Sequence, residues 1–435
     1  MKAFVKKLLP KFLLSYYHKF LAVAANFYYG RPSEKLIVIG ITGTTGKSTT
    51  VAMLDFVLTQ AGYKVGYTST IAFKYPGYYE LNKKKMTMLG RFQLQKILRQ
   101  MVSAGCQYAI VETTSQGIEQ WRHWGVHYDL AVLTNLYPEH LEAHGGFDNY
   151  KAAKLKLFAR LSQLAPKIIA GQKIKRQIVV NLDDQHATEF LAWPVEQKIG
   201  YTTKANHNIS GVKEIKAELF SDKFYIQQVE FSLPMPGQPN LLNAFAAVNI
   251  GLALGLSLEP MAKALKEFQG VPGRLEEIKV GQSFRVIVDY AFEPQALTNL
   301  YQTVKIWPHQ KIISVLGSTG GGRDIWRRAV LGELAGKNAE VVIVTNEDPY
   351  DEDPQQIIDQ VATGAVKAGK ILEQNLFKIL DRRQGIAKAI SLAQAGDIVL
   401  ITGKGCEPVM AVANGKLIPW DDREVVREEI GRLVN

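Results

Sequence analysis

Apolar, β-branched runs alternate with segments of helical periodicity through the first half of the chain. The runs at residues 35–41, 64–70, 107–112, 130–135 and 178–181 predict strands. Between many of them apolar residues recur at helical spacing, for example in residues 48–60 and 149–161. Strands that alternate with helices form a mostly parallel sheet covered by helices on both faces. The first half is therefore predicted to be a doubly wound α/β domain.

The second half repeats this alternation after a different segment. Residues 211–234 predict a hairpin of two strands around Ser221-Asp222, and a helix follows at about residues 240–254. Beyond Val271-Pro272-Gly273 the alternation resumes, which predicts a second, Rossmann-like α/β domain. Its candidate strands are residues 285–288, 312–316, 341–345, 376–380 and 398–402. We therefore expect an N-terminal helix in residues 1–33, a central domain in residues 34–274 and a C-terminal domain in residues 275–435.

The N-terminal segment has a pattern of its own, in which lysines are interleaved with aromatic and aliphatic residues. Five lysines fall between positions 2 and 19, and no acidic residue precedes Glu34. The longest uncharged stretch, residues 20–30, is too short to span a membrane, which takes about 20 apolar residues. A basic amphipathic helix over residues 2–29 can pack on the protein's own domain or lie on an anionic membrane surface. A signal peptide cleaved at Ala22-Val23-Ala24 is a third interpretation, disfavoured because a nucleotide-binding loop follows.

Composition narrows the class of protein. The chain has 435 residues, 47% hydrophobic and 21% charged, which is typical of a globular protein of two or more domains and excludes a mainly disordered, collagenous or coiled-coil chain. The net charge of +11 favours an anionic partner: a nucleotide, a nucleic acid or an acidic membrane surface. The two cysteines, Cys106 and Cys406, imply no disulfide framework and agree with a cytoplasmic location.

A candidate phosphate-binding loop joins the first predicted strand to the first predicted helix. It reads Thr42-Gly43-Thr44-Thr45-Gly46-Lys47-Ser48. Glycines at such a junction allow backbone N–H groups to surround an anion at a helix N-terminus. Lys47 would then reach the β- and γ-phosphates, and the Ser48 hydroxyl would bind Mg²⁺. Although Ile41 occupies the first glycine position of the strict pattern, the chain is predicted to bind a nucleoside triphosphate.

Candidate metal ligands follow two other predicted strands. Glu112 and Asn135 each end a strand, and ligands bind at strand ends in open α/β sheets. His140 and His144 come next, at the i, i+4 spacing of a zinc-binding pair. Gly145-Gly146 argues against a helix here, so a loop is predicted and surface or structural histidines remain an alternative to metal ligands.

Motifs over about nine-tenths of the chain resemble those of the Mur ligases of peptidoglycan synthesis, most of all those that add the third residue to a muramoyl-dipeptide. The match begins with Gly43-Thr44-Thr45-Gly46-Lys47-Ser48 and Glu112-Thr113-Thr114-Ser115 and continues in family order. The later segments are Thr134-Asn135-Leu136 through His140, Tyr150-Lys151-Ala152-Ala153-Lys154, Gly237-Gln238-Pro239-Asn240-Leu241-Leu242-Asn243, Val271-Pro272-Gly273-Arg274-Leu275-Glu276, Val288-Asp289-Tyr290-Ala291, Gly320-Gly321-Gly322-Arg323-Asp324, Glu347-Asp348-Pro349 and Gly403-Lys404-Gly405-Cys406-Glu407.

The resemblance implies an ATP-dependent ligase. ATP phosphorylates a carboxylate of the muramoyl-dipeptide to an acyl phosphate, and an amino acid then displaces the phosphate to form an amide. Two Mg²⁺ ions are implied, held by Ser48, Glu112, His140 and a Lys154 carbamylated by CO₂. Arg274 would reach the γ-phosphate. The other nucleotide-binding residues implied are Gly43, Thr44, Thr45, Gly46, Lys47, Asn135, Asn240, Asn243 and Asp289.

The resemblance also implies two groups of substrate-binding residues. Contacts to the muramoyl-peptide fall to Thr87, Thr114, Gln120 and Arg122, and contacts to the amino acid to Arg323, Asp348, Tyr350, Gly403 and Glu407. The segment Glu347-Asp348-Pro349-Tyr350 stands where diaminopimelate-adding enzymes have Asp-Asn-Pro-Arg. Asp348 would repel a distal carboxylate, so lysine or ornithine is predicted over diaminopimelate, unless Arg327 or Arg328 replaces the missing arginine.

Other positions depart from the family pattern. Only 42 residues precede Gly43, so the usual first domain, which binds UDP, is not expected; the carrier is then held by the basic helix or is not a free UDP-sugar. Phe292 and Cys406 replace histidines, and Cys406 is expected to pack rather than react.

Three alternatives stay open. One is a ligase with another acceptor, such as a folylpolyglutamate-synthase-like enzyme; another is a catalytically inactive nucleotide-binding scaffold. The third, a nucleic-acid motor, is disfavoured, and no nucleic acid partner is expected. We expect a cytoplasmic enzyme, associated peripherally with the inner face of the membrane if residues 2–29 bind lipid.

Overall fold

The computed structural model describes residues 11–139, 141–204, 207–220, 222–322 and 324–434. The chain forms two compact units, an N-terminal unit up to Phe268 and a C-terminal unit from Gln269. The boundary expected from the sequence, after residue 274, lies six residues further along.

A nine-stranded sheet organises the N-terminal unit, in the order β11-β10-β9-β6-β1-β5-β2-β3-β4. All neighbours pair in parallel except β2 with β3 and β3 with β4. The strands are β1 (Ile37–Thr42), β2 (Val65–Thr68), β3 (Ala72–Tyr75), β4 (Tyr78–Leu81), β5 (Tyr108–Glu112), β6 (Leu130–Leu133), β9 (Gln177–Asn181), β10 (Gln197–Thr202) and β11 (Lys213–Lys216), with β7 (Ile168–Ile169) and β8 (Gln172–Lys173) in a separate hairpin.

The register of the central strands brings three loops together. Ile41 of β1 lies opposite Glu112 of β5, and Thr42 lies opposite Leu133 of β6. The carboxyl ends of these parallel strands therefore form one edge of the sheet. Near-continuous apolar burial of β1, β5 and β6 is typical of strands covered on both faces.

Helices cover both faces of this sheet. Leu94 and Leu98 pack in the same core cluster as Leu157 and Phe158, while the helix Lys47–Gln60 packs against the helix Gln238–Ala253. The helices are α1 (Lys11–Tyr28), α2 (Lys47–Gln60), α3 (Arg91–Ser103), α4 (Ser115–Glu119), α5 (Leu141–His144), α6 (Phe147–Gln163), α7 (Ala187–Leu191), α8 (Gln238–Ala253) and α9 (Leu258–Lys266). None of the helices in the described part of the chain is long and apolar enough to cross a membrane.

The C-terminal unit has a six-stranded sheet, in the order β15-β16-β20-β17-β18-β19. Only β15 with β16 is antiparallel, and an apolar cluster lies on each face. Its strands are β15 (Glu276–Ile278), β16 (Arg285–Asp289), β17 (Ile312–Leu316), β18 (Val341–Thr345), β19 (Leu376–Ile379) and β20 (Ile398–Thr402), and β21 (Val409–Val412) pairs with β22 (Lys416–Pro419). Its helices are α10 (Pro294–Val304), α11 (Arg327–Asn338), α12 (Pro354–Lys367), α13 (Arg382–Leu392) and α14 (Asp422–Val434).

The predicted alternation of strands and helices is confirmed in both units. In residues 211–234 the structure is richer than one hairpin, because Lys213–Lys216 joins the large sheet and β12 (Glu218–Leu219), β13 (Lys223–Ile226) and β14 (Val229–Ser232) form a three-stranded sheet. The predicted loop after residue 140 is wrong for Leu141–His144, which forms one helical turn ended by two glycines of positive φ.

Candidate active site

The phosphate loop runs from the end of β1 to the start of α2, and two positions in it admit only glycine. Gly43 has φ of 153°, and a Cβ there would lie 1.9 Å from Thr134 Oγ1. Gly46 caps α2 with φ of 79°, and a Cβ there would lie 2.2 Å from Asn243 Oδ1. The loop is therefore packed closely against two other segments of the chain.

Side chains from outside the loop hold its backbone. Asn135 Oδ1 accepts hydrogen bonds from the N–H groups of Thr44, at 3.2 Å, and Thr45, at 2.9 Å. Lys47 Nζ donates to the carbonyls of Gly43, at 3.0 Å, and Thr44, at 2.7 Å. The lysine that the motif assigns to phosphate thus bridges the carbonyls of its own loop.

Glu112 lies beside the loop in a network of oriented oxygen atoms. Ser48 Oγ donates to Glu112 Oε2 at 2.9 Å. The Thr70 N–H donates to the same oxygen at 2.8 Å, and Thr70 Oγ1 donates to Oε1 at 3.0 Å. Thr70 Oγ1 also lies 2.8 Å from Thr87 Oγ1. Both carboxylate oxygens of Glu112 therefore have fixed partners, which set the orientation of the group.

Lys154 lies on α6 and is buried against the same loop. Its Nζ donates to the Gly43 carbonyl at 2.7 Å and lies 4.4 Å from the centre of the Tyr150 ring. In the described part of the chain no carboxylate pairs with this ammonium. Burial, and next the positive charge of Lys47, hold the pKa of Lys154 well below its usual value.

Of the two histidines predicted near this site, the structure describes only His144. His140 lies outside the described residues. His144 is buried, its Nε2 lies 3.0 Å from Ser115 Oγ, and its Nδ1 lies 3.1 Å from Glu119 Oε1 but out of line for a hydrogen bond. Within the described residues, no three His, Cys, Asp or Glu side chains come together as they would around a metal ion.

The residues expected to contact the muramoyl-peptide lie around α4. Thr114 caps this helix and accepts a hydrogen bond from the Gly117 N–H at 3.2 Å. Gln120 Oε1 accepts from Arg122 Nη2 at 2.7 Å, and the Gln120 carbonyl accepts from Arg91. Arg91 is not among the site residues that the sequence predicts.

In the C-terminal unit, Lys404 joins the acids expected to bind the amino acid. Lys404 Nζ is buried and donates to Asp348 at 3.0 and 3.1 Å, to Glu407 at 2.9 Å and to the Val409 carbonyl at 2.7 Å. Neighbouring Glu347 is buried as well, and burial, with Asp348 next, raises its pKa. A Cβ at Gly403 would lie 2.3 Å from Glu347 Oε2, so only glycine fits there.

Tyr350 and Arg328, which the sequence relates to the amino-acid site, both contact other residues of the C-terminal unit. Tyr350 lies against Gly321, where a Cβ would be 3.4 Å from its ring, and Arg323 falls outside the described residues. Arg328 pairs with Glu352 at 2.8 Å and donates to Gln360 at 2.7 Å.

Phe292 and Cys406, which stand where the family pattern has histidines, both lie in packed surroundings. The Phe292 ring contacts Tyr290 edge-on and lies under the guanidinium of Arg327. Burial raises the pKa of Cys406 to about 11, so the thiol stays neutral.

Three predicted nucleotide contacts have partners within their own unit, two through hydrogen bonds and one through a cation–π contact. Asp289 accepts from the N–H groups of Leu275, at 2.6 Å, and Ala291, at 2.7 Å, and burial raises its pKa. Arg274 lies over the Tyr290 ring, 4.1 Å from its centre. In the N-terminal unit, Asn240 donates to the Pro236 carbonyl at 2.8 Å.

Comparison with known proteins identifies the family. Residues 41–251 match the Mur ligase middle domain, and residues 273–405 match the Mur ligase glutamate ligase domain. The UDP-N-acetylmuramyl-tripeptide synthetase of Roseiflexus sp. (strain RS-1) is 35% identical over 421 residues, which cover 95% of this chain and 82% of that protein. The chain belongs to the Mur ligase family. As a Mur ligase it is an ATP-dependent enzyme that forms amide bonds, which confirms the resemblance and the fold class found in the sequence.

Another relative and two solved structures agree with this family and its fold. The UDP-N-acetylmuramoyl-L-alanyl-D-glutamate--2,6-diaminopimelate ligase of Bacillus cereus (strain ATCC 14579) is 34% identical over 431 residues, 98% of this chain and 84% of that protein. A solved structure of a ligase of the same name has a TM-score of 0.59 and 28% identity, and covers 92% of this chain and 79% of that chain. Folylpolyglutamate synthase of Mycobacterium tuberculosis, at a TM-score of 0.65, 15% identity and coverage of 96% and 95%, shares the fold.

Sequence reasoning missed two groups in the site of this Mur ligase. Thr70 makes two of the hydrogen bonds that orient Glu112, but a single threonine after a strand carries no recognisable pattern. Arg91 precedes Gln120 by 29 residues, so no local spacing connects them. The sequence offers one indication of Arg91: a charged residue at the start of a predicted helix, four residues after the predicted substrate contact Thr87.

Proposed function

We propose that this Mur ligase joins an amino acid to a carboxylate of a muramoyl-dipeptide in the synthesis of peptidoglycan precursors. The observation that carries the proposal is the meeting of Ser48, Glu112 and Lys154 at the phosphate loop. Relatives at 34–35% identity over nearly the whole chain, named as a muramyl-tripeptide synthetase and a diaminopimelate ligase, support this class of substrate.

The reaction has two steps. A carboxylate oxygen of the dipeptide attacks the γ-phosphorus of ATP, ADP leaves, and an acyl phosphate forms. The amino group of the amino acid then attacks the acyl carbon; inorganic phosphate leaves and the nitrogen loses a proton as the amide forms. Lys47 and the N–H groups of the loop would bind and orient the phosphates, because preorganised donors act where charge develops in the transition state.

The oxygen atoms beside the loop fit a hard divalent cation. The Ser48 hydroxyl and the Glu112 carboxylate lie 2.9 Å apart, and Thr70 holds the carboxylate in one orientation. Hydroxyl and carboxylate oxygens are the ligands that Mg²⁺ prefers. Mg²⁺ held by these residues would offset the repulsion between ATP and the anionic dipeptide. We assign Ser48 and Glu112 to one of two ions, and His140 and Lys154 to the other.

Lys154 is proposed to hold its ion as a carbamate. Its buried amine has a carbonyl and an aromatic ring as neighbours, and a positive charge, that of Lys47, lies close by. A neutral amine in these surroundings attacks the carbon of CO₂ and releases a proton, and the product is an anionic oxygen donor. That product pairs with Lys47 and suits a hard cation, whereas an ammonium would repel it.

A coupled assay of phosphate release tests the main proposal. The enzyme is supplied with ATP, UDP-linked or unconjugated muramoyl-dipeptide, and a panel of amino acids. We expect phosphate release that requires both the dipeptide and an amino acid, and that falls at least a hundredfold in Glu112→Gln. Release with a reduced folate and glutamate instead would establish the folylpolyglutamate-synthase-like alternative, and ATP binding without turnover would establish the inactive scaffold.

We also propose that α1 rests on an anionic membrane surface at the cytoplasmic face. Tyr16, Phe20, Val23 and Phe27 are exposed and recur at i, i+4, i+7 and i+11, so they form one apolar stripe along the helix. The opposite side packs on the protein through buried Ala22 and Ala25. Docking on the protein and binding of lipid, which the sequence presented as alternatives, thus use different faces of one helix.

Co-sedimentation with liposomes tests this surface. We expect the full chain to sediment with vesicles that contain anionic lipid, and the double variant Phe20→Glu, Phe27→Glu to lose at least tenfold in partitioning. Val366→Glu, which changes an exposed apolar residue of the C-terminal unit, is the matched control. Equal sedimentation of both variants would contradict the proposal.

A further inference from the structure

Two arginines meet beside the residues expected to contact the muramoyl-peptide. Arg91 is the first residue of α3, and Arg122 follows α4. Both donate to Gln120: Arg91 to its carbonyl, and Arg122 to its side-chain Oε1 at 2.7 Å. Arg122 also donates to the Met88 carbonyl. One residue therefore holds two guanidinium groups side by side.

Both arginines are partly buried, and within the described chain the pair lacks an acidic partner. Among the described residues no carboxylate lies at ion-pair distance from Arg91 or Arg122, and the Nε atom of each is buried without a hydrogen-bond partner. Burial, and next the charge of Arg122, lower the pKa of Arg91 to about 10. Two neighbouring like charges without an acid are costly in the free protein, and an anionic ligand would offset that cost.

Helix α1 packs on the same segment of chain. Trp121, between Gln120 and Arg122, donates from Nε1 to Ser15 Oγ at 2.7 Å. Lys19 Nζ lies 5.1 Å from the centre of the Trp121 ring and 4.0 Å from that of Trp124. The arginine pair is thus tied through Trp121 to the helix that carries the apolar stripe.

The apolar surface of α1 also continues to the other arginine. The ring of Tyr28, at the end of α1, lies 6.2 Å from the ring of Phe92, which follows Arg91 in sequence. Both rings are exposed. An aromatic surface rimmed by arginines suits the boundary between acyl chains and phosphate groups of a membrane, where aromatic rings lie at headgroup level and guanidinium groups pair with phosphate.

We propose that the muramoyl-dipeptide acceptor is anchored in the membrane through a phosphate-linked lipid, and that Arg91 and Arg122 bind a phosphate of that linkage beside α1. This inference rests on the proposed ligase function and specifies its substrate class. Guanidinium groups match phosphate oxygens with two parallel hydrogen bonds, which makes arginine selective for such a group. Because Trp121 and Phe92, the sequence neighbours of the two arginines, both contact α1, a phosphate bound by the arginines would lie beside the helix that we propose rests on the membrane.

Ligation on two carriers tests the inference. The same muramoyl-dipeptide is supplied linked to UDP, or linked through pyrophosphate to a long polyprenol in vesicles that contain anionic lipid. We expect kcat/KM of the unaltered enzyme to be at least tenfold higher on the lipid carrier. In Arg91→Gln we expect KM for that carrier to rise at least tenfold with kcat unchanged, whereas Arg91→Lys retains more of the affinity.

Two further variants separate phosphate recognition from membrane binding. Arg99→Gln, which changes an exposed arginine on the same helix, is the control and should stay within twofold of the unaltered enzyme. A water-soluble carrier with a short prenyl chain removes the membrane from the assay. On it, Arg91→Gln should still raise KM, whereas the double variant Phe20→Glu, Phe27→Glu should act as the unaltered enzyme does.

The outcomes distinguish this inference from the proposed function. An equal or higher kcat/KM on the UDP carrier, or an Arg91→Gln variant no worse than Arg99→Gln, would overturn the lipid-linked substrate and leave the ligase function in place. Absence of ligation on every muramoyl carrier, with any amino acid, would contradict the ligase function itself.

Discussion

At the scale of single residues, the structure changes the reason for one sequence-based prediction. The sequence predicts that Asp348 repels the distal carboxylate of diaminopimelate. In the structure its charge is paired with buried Lys404, and its Oδ1 accepts a hydrogen bond from the Ala411 N–H at 2.7 Å. The charge that an amino acid meets here is therefore set by all the acidic residues around Lys404, not by Asp348 alone. Lys404 is shared by the carboxylates of Asp348 and Glu407, and Glu347 lies next to Asp348, so acidic groups outnumber this ammonium.

The preference for lysine over diaminopimelate remains a prediction, now based on the charge of the whole cluster. We expect kcat/KM to be higher for L-lysine than for meso-diaminopimelate, because a cationic side chain is attracted by the excess carboxylates and Tyr350 offers at most one neutral hydrogen bond. Arg328 is already engaged by Glu352 and Gln360. A preference of tenfold or more for diaminopimelate would refute the charge argument. Tyr350→Arg should shift the ratio toward diaminopimelate.

Lys154 supports a second prediction at this scale. Lys154→Ala should lower ligation at least a hundredfold, because it removes the proposed anionic ligand beside Lys47. Excess short-chain carboxylate should restore part of the rate by occupying the space left by the side chain. Lys151→Ala is the matched control, since Lys151 lies one turn earlier on α6 and pairs with Glu189 at the surface. Full activity of Lys154→Ala without added anion would exclude the carbamate.

At the scale of elements, the ends of β1, β5 and β6 could be predicted from apolar runs, and their parallel register explains why Glu112 and Asn135 both lie at the phosphate loop. The position of α1 could not be predicted in this way. Ser15 and Trp121 are 106 residues apart, so the contact that docks the helix has no signature in any local pattern. The pairing of Lys404 with Asp348 could not be predicted either, because the two residues are 56 positions apart and no local pattern connects them.

Docking of α1 predicts a measurable role for Lys19. Lys19→Ala should lower the free energy of unfolding by about 1 kcal/mol, because cation–π contacts to tryptophan are worth roughly 0.5–2 kcal/mol. The variant should also change the tryptophan fluorescence, since Trp121 and Trp124 both lose the ammonium. Chemical denaturation followed by fluorescence measures both effects. Lys35→Ala, an exposed lysine just after the helix, is the control, and equal behaviour of the two variants would argue against the docked helix.

At the scale of the whole molecule, each of the two units has its own sheet and its own apolar clusters. In the C-terminal unit, neighbouring arginines pair with α14 in opposite environments. Arg382 and Asp422 form a fully buried two-hydrogen-bond pair at 2.8 and 2.7 Å. Arg383 pairs with Glu428 and Glu429 and is partly exposed.

These contacts predict that residues 269–435 fold alone, since all partners of the buried pair lie within them. Calorimetry of the fragment should give one cooperative transition. Arg382→Met leaves the buried charge of Asp422 without its partner and should cost about 3–5 kcal/mol, which corresponds to a fall in Tm of roughly 10 °C. Arg383→Met removes a surface pair worth about 1 kcal/mol or less and should shift Tm by only a few degrees. Comparable shifts in the two variants would contradict the difference between the buried and the exposed pair. A fragment without a transition would show that this unit is not stable by itself.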